Sequence, residues 1–279
     1  MIHIITDSTC EFNPEEQKDM NITVIPHQIN FGEVSYRDNI DITREEFYEK
    51  LITVQELPTT SQINPAEFEE VFQKVKEKDE EAVVLLITSE LSGTFQSAHI
   101  ATEMVDSKHI YLVDSNTGSF GLALLVKEAV KLREAGFKAK EIAAKIQSLS
   151  KRIKLVAVID TLKYLKIGGR ISASSAFIGN ILGIHPILEV KNGKIIAIDK
   201  VRSFKAGMRK ILEYLEKEPA DLSYGLSFGH SNAKEKLDKF VDYIKASYPT
   251  NDITITNIGS AVGAHTGPGV IGISYITKE

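Results

Sequence analysis

One stretch, residues 82–98 (AVVLLITSELSGTFQSA), limits what this chain can become more than any other. Val83, Val84, Leu85, Leu86 and Ile87 form an unbroken apolar run of strand length, the pattern of a strand covered on both faces. The run gives way abruptly to Thr88, Ser89, Ser92, Gly93 and Thr94, and then to a helix-like segment over 95–105. Strand, hydroxyl-rich turn and helix in that order put Ser92 at or beside a helix N-terminus. Unpaired backbone N–H groups and the helix dipole favour an anion there. In an open α/β sheet this crest, at the carboxyl ends of the strands, is where ligands sit. The same serine also reads as a plain helix cap.

The rest of the chain repeats this order. Residues 3–6 read as a strand, and Asn13-Pro14 with Glu16 opens a helix, Asn as cap and Pro at the first helical position. Residues 22–29 read as a second strand. Thr43 with Glu46, and Asn64-Pro65 with Glu67, are capping boxes for helices reaching about 53 and 78. Strand 109–113 and helices 122–134 and 141–149 follow. From 155 onward come strand 155–159, an apolar segment over 176–184, a hairpin turning on Asn192-Gly193 and a basic helix over 205–215. Strand 224–228, helix 233–245, strand 253–258, a loop over 263–269 and strand 270–276 complete the chain. The expected fold is α/β, with two domains at 1–155 and 156–279, the first built on a mainly parallel sheet flanked by helices. At 279 residues the chain exceeds one ordinary core.

Composition excludes several classes. With 43% hydrophobic and 25% charged residues this reads as a soluble globular protein. No apolar run approaches the roughly 20 residues of a membrane span, and the first residues lack the zones of a signal peptide. A cytoplasmic protein is expected. The single cysteine, Cys10, excludes an internal disulfide framework, and the seven histidines show no ligand spacing, so neither metal nor cofactor is expected. A net charge of −5 argues against a nucleic-acid binder. Within 151–210, however, thirteen Lys or Arg face three acids, leaving that segment at +10 and the remainder at −15. This asymmetry describes either a surface that meets an anionic partner or a solvated, self-neutralised face.

Individual motifs narrow the chemistry. Gly267 to Gly272 spells G-x-G-x-x-G, but a β-like sequence follows it where a dinucleotide site needs a helix. No G-x-x-x-x-G-K-[ST] occurs. Ser92 and His265 raise a Ser/His-dependent small-molecule hydrolase as the alternative function, yet Glu90 stands where a nucleophile elbow needs glycine. Thr60 and Ser61 in one turn, Ser92, Gly93 and Thr94 in another, and His265 with Thr266 supply neutral hydrogen-bond donors without a clear nucleophile or metal cage. Such a set suits holding a carboxylate better than breaking a bond. Phe177, Ile178, Ile181 and Leu182, interleaved with small residues, read either as core or as the lining of a tube for an apolar chain.

Five motifs in order carry a resemblance: Thr6-Asp7-Ser8-Thr9, Thr59-Thr60-Ser61-Gln62, Ser92-Gly93-Thr94-Phe95-Gln96-Ser97-Ala98, Gly168-Gly169-Arg170-Ile171-Ser172 after Leu162 to Leu165, and His265-Thr266-Gly267-Pro268-Gly269. Together they resemble the bacterial DegV family, the fatty-acid-binding subunits of fatty acid kinase, over essentially the whole chain. The resemblance implies a long-chain fatty acid buried in an apolar pocket completed by the second domain, with Phe177, Ile178, Ile181 and Leu182 along its chain. Its carboxylate would be held by Thr60, Ser61, Ser92, Gly93, Thr94, His265 and Thr266. A separate ATP-dependent kinase subunit would phosphorylate it to an acyl phosphate in service of phospholipid synthesis, leaving this chain non-catalytic. Arg170 and Arg202 become candidates for phosphate or kinase contact. Two departures stand out: Cys10-Glu11 after the first turn, and Ile167 in place of a common lysine.

Overall fold

The computed structural model describes residues 1–171 and 183–279. The expected chain-lining residues Phe177, Ile178, Ile181 and Leu182 lie outside them. In chain order the elements are β1 (Ile2–Asp7), α1 (Pro14–Asp19), β2 (Ile22–Ile25), β3 (Gln28–Phe31), β4 (Val34–Arg37), α2 (Arg44–Leu51), β5 (Thr59–Ser61), α3 (Pro65–Glu77), β6 (Glu81–Leu86), α4 (Thr94–Val105), β7 (Ile110–Asp114), α5 (Ser119–Glu134) and α6 (Ala139–Leu149). They continue with β8 (Ile153–Val158), α7 (Lys163–Ile167), β9 (His185–Lys191), β10 (Lys194–Val201), α8 (Phe204–Lys217), β11 (Leu226–His230), α9 (Lys234–Lys245), β12 (Ile253–Asn257), α10 (Ser260–Thr266) and β13 (Ile271–Ile276). Among the described residues no helix is long and apolar enough to cross a membrane.

The first sheet, ordered β2-β1-β6-β7, is parallel throughout. Side chains alternate across a strand, and β6 uses both faces. Val83 and Leu85 pack with Leu122, Val126, Ile142 and Ile146 of α5 and α6, whereas Val84 and Leu86 pack with Phe68, Phe72, Ala98 and Ala101 of α3 and α4. The helix starts follow local sequence: Asn13, Thr43 and Asn64 each close a reciprocal capping box.

The second sheet, ordered β10-β9-β8-β13-β11-β12, is mixed, with β11 and β12 its parallel pair. Its first strand begins at Ile153, so position 155 falls inside β8. Val156 and Val158 join the core under α8 and α9; Leu155, Ala157 and Ile159 face the other way. That second face is what the site uses.

Two sequence expectations need correction. Residues 22–29 are two strands in two sheets, because Pro26 offers no N–H to continue a ladder; β3 turns away to pair with β4 and β5 in a small antiparallel sheet. The expected loop over 263–269 begins as helix α10. Gly263 serves close packing there, since a Cβ would lie 2.8 Å from both Phe47 Cε1 and Tyr48 Oη.

Candidate functional site

The inward face of the second sheet meets the crest of the first across a cavity of about 270 Å³. Leu155, Ala157, Ile159, Leu188, Val190 and Ile195 supply the sheet side, with Phe120, Leu165, Ile258, Val262 and Val270 around them. Phe120 fits this wall because Gly229 and Gly272, directly paired across β11 and β13, leave a hollow for its ring; a Cβ on Gly272 would lie 2.7 Å from Phe120 Cζ.

Polar lining comes from Thr9, His27, Thr60, Gln62, Ser92, Ser119, Arg170, His265 and Thr266. Contacts between distant segments draw much of it into one cluster. His265, on α10, bonds through Nε2 to Thr60 Oγ1 of β5 at 2.7 Å. The glycine at 168 lets this ring approach, because any side chain there would overlap Nδ1. Burial, reinforced by Arg170 and then by the neighbouring His27, pushes the His265 ring down to about 4, so it is neutral near pH 7. Arg170 reaches over the Ser92 turn, donating from Nε to Leu91 O at 3.3 Å and from Nη1 to Gly168 O at 2.5 Å.

Ser92 precedes α4, and its Oγ accepts the Thr94 N–H at 3.3 Å and lies 2.9 Å from Thr94 Oγ1. Thr94, fully buried, also receives the Ile63 N–H at 3.3 Å and meets His27 Nε2 at 3.1 Å. Behind this layer Asp7, also fully buried, accepts from Thr9 N (2.9 Å), Thr9 Oγ1 (2.5 Å) and Ile87 N (2.7 Å). Ser119 donates to buried Glu11 at 2.8 Å, whose other oxygen receives the Gly259 N–H at 2.6 Å. Burial pushes the Glu11 carboxyl up to about 8, against the pull of Arg44, while Asp38 adds to the rise.

Of the residues singled out in sequence, Thr60, Ser92, Gly93, His265, Thr266 and Arg170 line this one cavity. Ser61 does not: in a strand neighbouring side chains point to opposite faces, so with Thr60 turned inward Ser61 is exposed and takes a hydrogen bond from Asn30. Thr94 lies beneath Ser92 instead of facing the cavity. Arg202 is exposed in the turn before α8, away from the lining. The hydrolase alternative finds no support, because Ser92 Oγ is engaged by Thr94 and the His265 Nε2 by Thr60. No serine–histidine pair forms between the two residues that suggested it. Gly267 to Gly272 is the turn from α10 into β13. Sequence reasoning missed His27, Gln62 and Ser119, and the aliphatic wall of β8, β9 and β10. The only signals for them were the polar residue after Pro26 and an alternation shared with ordinary core strands.

Comparison with known proteins identifies the family and the fold. The profile of the DegV family, described as uncharacterised proteins, matches residues 1–278. A DegV domain-containing protein of Caldanaerobacter subterraneus is 34% identical over 278 residues, covering 99% of each chain. Among solved structures, a DegV family protein from Thermus thermophilus described for its fatty acid binding superposes with a TM-score of 0.90 at 28% identity, over 99% of each chain. A stearic-acid-binding protein from Eubacterium ventriosum does so with a TM-score of 0.90 at 27% identity, over 100% of this chain and 99% of its own. A match along the whole length, together with the same fold, places this chain in the DegV family.

Proposed function

We propose that this protein binds a long-chain fatty acid in the cavity between its two sheets and presents the carboxylate to a separate ATP-dependent kinase subunit. The carrying observation is the lining: aliphatic walls on one side, and on the other a cluster of hydroxyls, one neutral imidazole and one arginine. Each methylene taken from water into such walls contributes about 0.8 kcal/mol. An ionised head group enters only if it is paired, and the Thr60 and Ser92 hydroxyls stand where they can pair it, Thr60 oriented by the neutral His265 ring, with Gly93 and Thr266 beside them. The fatty-acid-binding relatives from Thermus thermophilus and Eubacterium ventriosum support the same ligand class.

Presentation to a kinase is the second half of the reading. The sequence holds no P-loop, and phosphorylation of the carboxylate raises the head-group charge to roughly −2. Arg170 beside the Ser92 turn can meet that charge, and exposed Arg202 offers a contact to the kinase. The chain then acts as a cytoplasmic, non-catalytic carrier. Mass spectrometry of ligand extracted from the purified protein tests the first half: a stoichiometric long-chain fatty acid is expected, and an apolar cavity that takes up none after delipidation refutes the reading. For the second half, Ser92→Ala and His265→Ala are expected to slow acyl phosphate formation when the kinase subunit and ATP are supplied. Unchanged rates would refute it.

A further inference from the structure

Behind the hydroxyls that face the cavity lies a polar chain that ligand contact alone does not explain. Asp7 accepts three hydrogen bonds, two at Oδ1 and one at Oδ2. Two of these donors are backbone N–H groups, one on each oxygen, which favour the carboxylate form; only the Thr9 hydroxyl could take a carboxylic proton. Burying a carboxylate is costly, and a nearby cation offsets that cost. Among the described residues its ion-pair partner is His27, whose Nδ1 lies 3.7 Å from Asp7 Oδ1 and 3.4 Å from Ser8 Oγ.

The direction of the remaining hydrogen bonds then follows by counting. A hydroxyl oxygen has two lone pairs and one proton. Thr94 Oγ1 gives one lone pair to the Ile63 N–H and the other to His27 Nε2–H. Its own proton must go to Ser92 Oγ, which already accepts the Thr94 N–H. Both Ser92 lone pairs are thus filled, and its O–H is left to point into the cavity. Were His27 the neutral ring with its proton on Nδ1, the His27–Thr94 and Thr94–Ser92 bonds would reverse while the two backbone N–H bonds stayed, and Ser92 would face the ligand as an acceptor.

We infer that His27 carries both ring protons against Asp7 and, through Thr94, fixes Ser92 as a donor, so that the cavity takes its ligand as an anionic carboxylate and not as the neutral acid. This rests on the fatty-acid reading above and adds a positioning residue to it. Charged or titratable side chains around this cluster include His265 and Arg170, Glu11 behind Ser119 with Arg44 and Asp38 acting on it, and buried Cys10 beside Asp7. Burial, with Arg170 adding to it, holds the His265 ring neutral. On that side the same logic applies: His265 Nδ1 has no partner among the described residues, so its proton belongs on Nε2, where it donates to Thr60 and frees that hydroxyl as a second donor.

The test reads ring and ligand separately. ¹⁵N NMR of histidine-labelled, delipidated protein at neutral pH should show His27 with both nitrogens protonated; a neutral ring of either tautomer overturns the inference. With carboxyl-¹³C palmitate bound, the carboxyl resonance should sit at its ionised position, and a neutral-acid shift overturns it equally. Thr94→Val should weaken fatty acid binding at least tenfold while changing affinity for the fatty alcohol of equal length less than threefold, and Thr94→Ser should restore the acid preference. Equal losses for acid and alcohol would make Thr94 merely structural and overturn the relay. A protein whose ligand-free spectrum shows doubly protonated His27, yet which takes up no fatty acid, would overturn the proposed ligand and leave the relay standing.

Discussion

If the head group and the hydrocarbon tail are held by different walls of one cavity, their contributions to affinity should separate. Replacing Ser92 by alanine removes one donor at the polar cluster and leaves Leu155, Ala157, Leu188, Val190 and the other aliphatic residues untouched. A hydrogen bond to a charged group is worth about 1.5–3 kcal/mol, which corresponds to a dissociation constant raised about 10- to 150-fold. The acceptor lost to the Thr94 N–H is lost in free and bound protein alike, so it cancels from the ratio. Along a series of saturated acids each further methylene should add about 0.8 kcal/mol, or about fourfold in affinity. Titration of delipidated protein by calorimetry or by displacement of a fluorescent acid should therefore give two parallel lines against chain length. Their vertical gap is the head-group term and their shared slope the tail term. Lines that converge, or no gap at all, would refute the division of the cavity into donor cluster and apolar wall.

Further outcomes follow from particular contacts. Gly229→Ala should lower stability by about 1–3 kcal/mol and weaken acid binding, because the added methyl overlaps the Phe120 ring in the cavity wall; thermal melting and the same titration check both. Gly193→Ala should cost about 1–2 kcal/mol in urea denaturation, since φ is +76° and the methyl would meet Thr88 Oγ1. Glu11, held at about 8 against an ordinary value of 4.5, binds its proton more tightly folded than unfolded. Its contribution is therefore complete below about 4.5 and is lost as pH rises through about 8. His265, depressed to about 4 from 6.5, acts in the opposite sense, losing stability as pH falls from 6.5 toward 4. The two oppose each other between about 4.5 and 6.5, so the clean window lies between about 6.5 and 8. Stability should decline there with rising pH, and Glu11→Gln should flatten the decline; denaturation midpoints across that range decide it.

What the sequence made legible was local. Capping boxes at Asn13, Thr43 and Asn64 depend on residues three apart, and all three open helices. The run from Val83 to Leu86 announced a strand covered on both faces, and helices cover both. The division of residues 22–29 was less visible, because β-like residues flank Pro26 on both sides and only pairing partners show that the chain changes sheets. The site stands at the far end of this scale. Thr60 and His265 are 205 positions apart, and nothing in either neighbourhood selects the other. Hydroxyl-rich turns mark the cluster only because each ends a strand or begins a helix at the same crest. His27 carries no motif of its own, and its role depends on Asp7 and Thr94 arriving on either side of its ring. The aliphatic wall is hidden for a different reason. Leu155, Ala157 and Ile159 alternate with Val156 and Val158 as in any strand buried on both faces, yet one set meets α8 and α9 while the other lines the cavity. Hydrophobic pattern reports that a face avoids water; whether protein or ligand fills the space against it is decided by how closely two separately folded sheets approach.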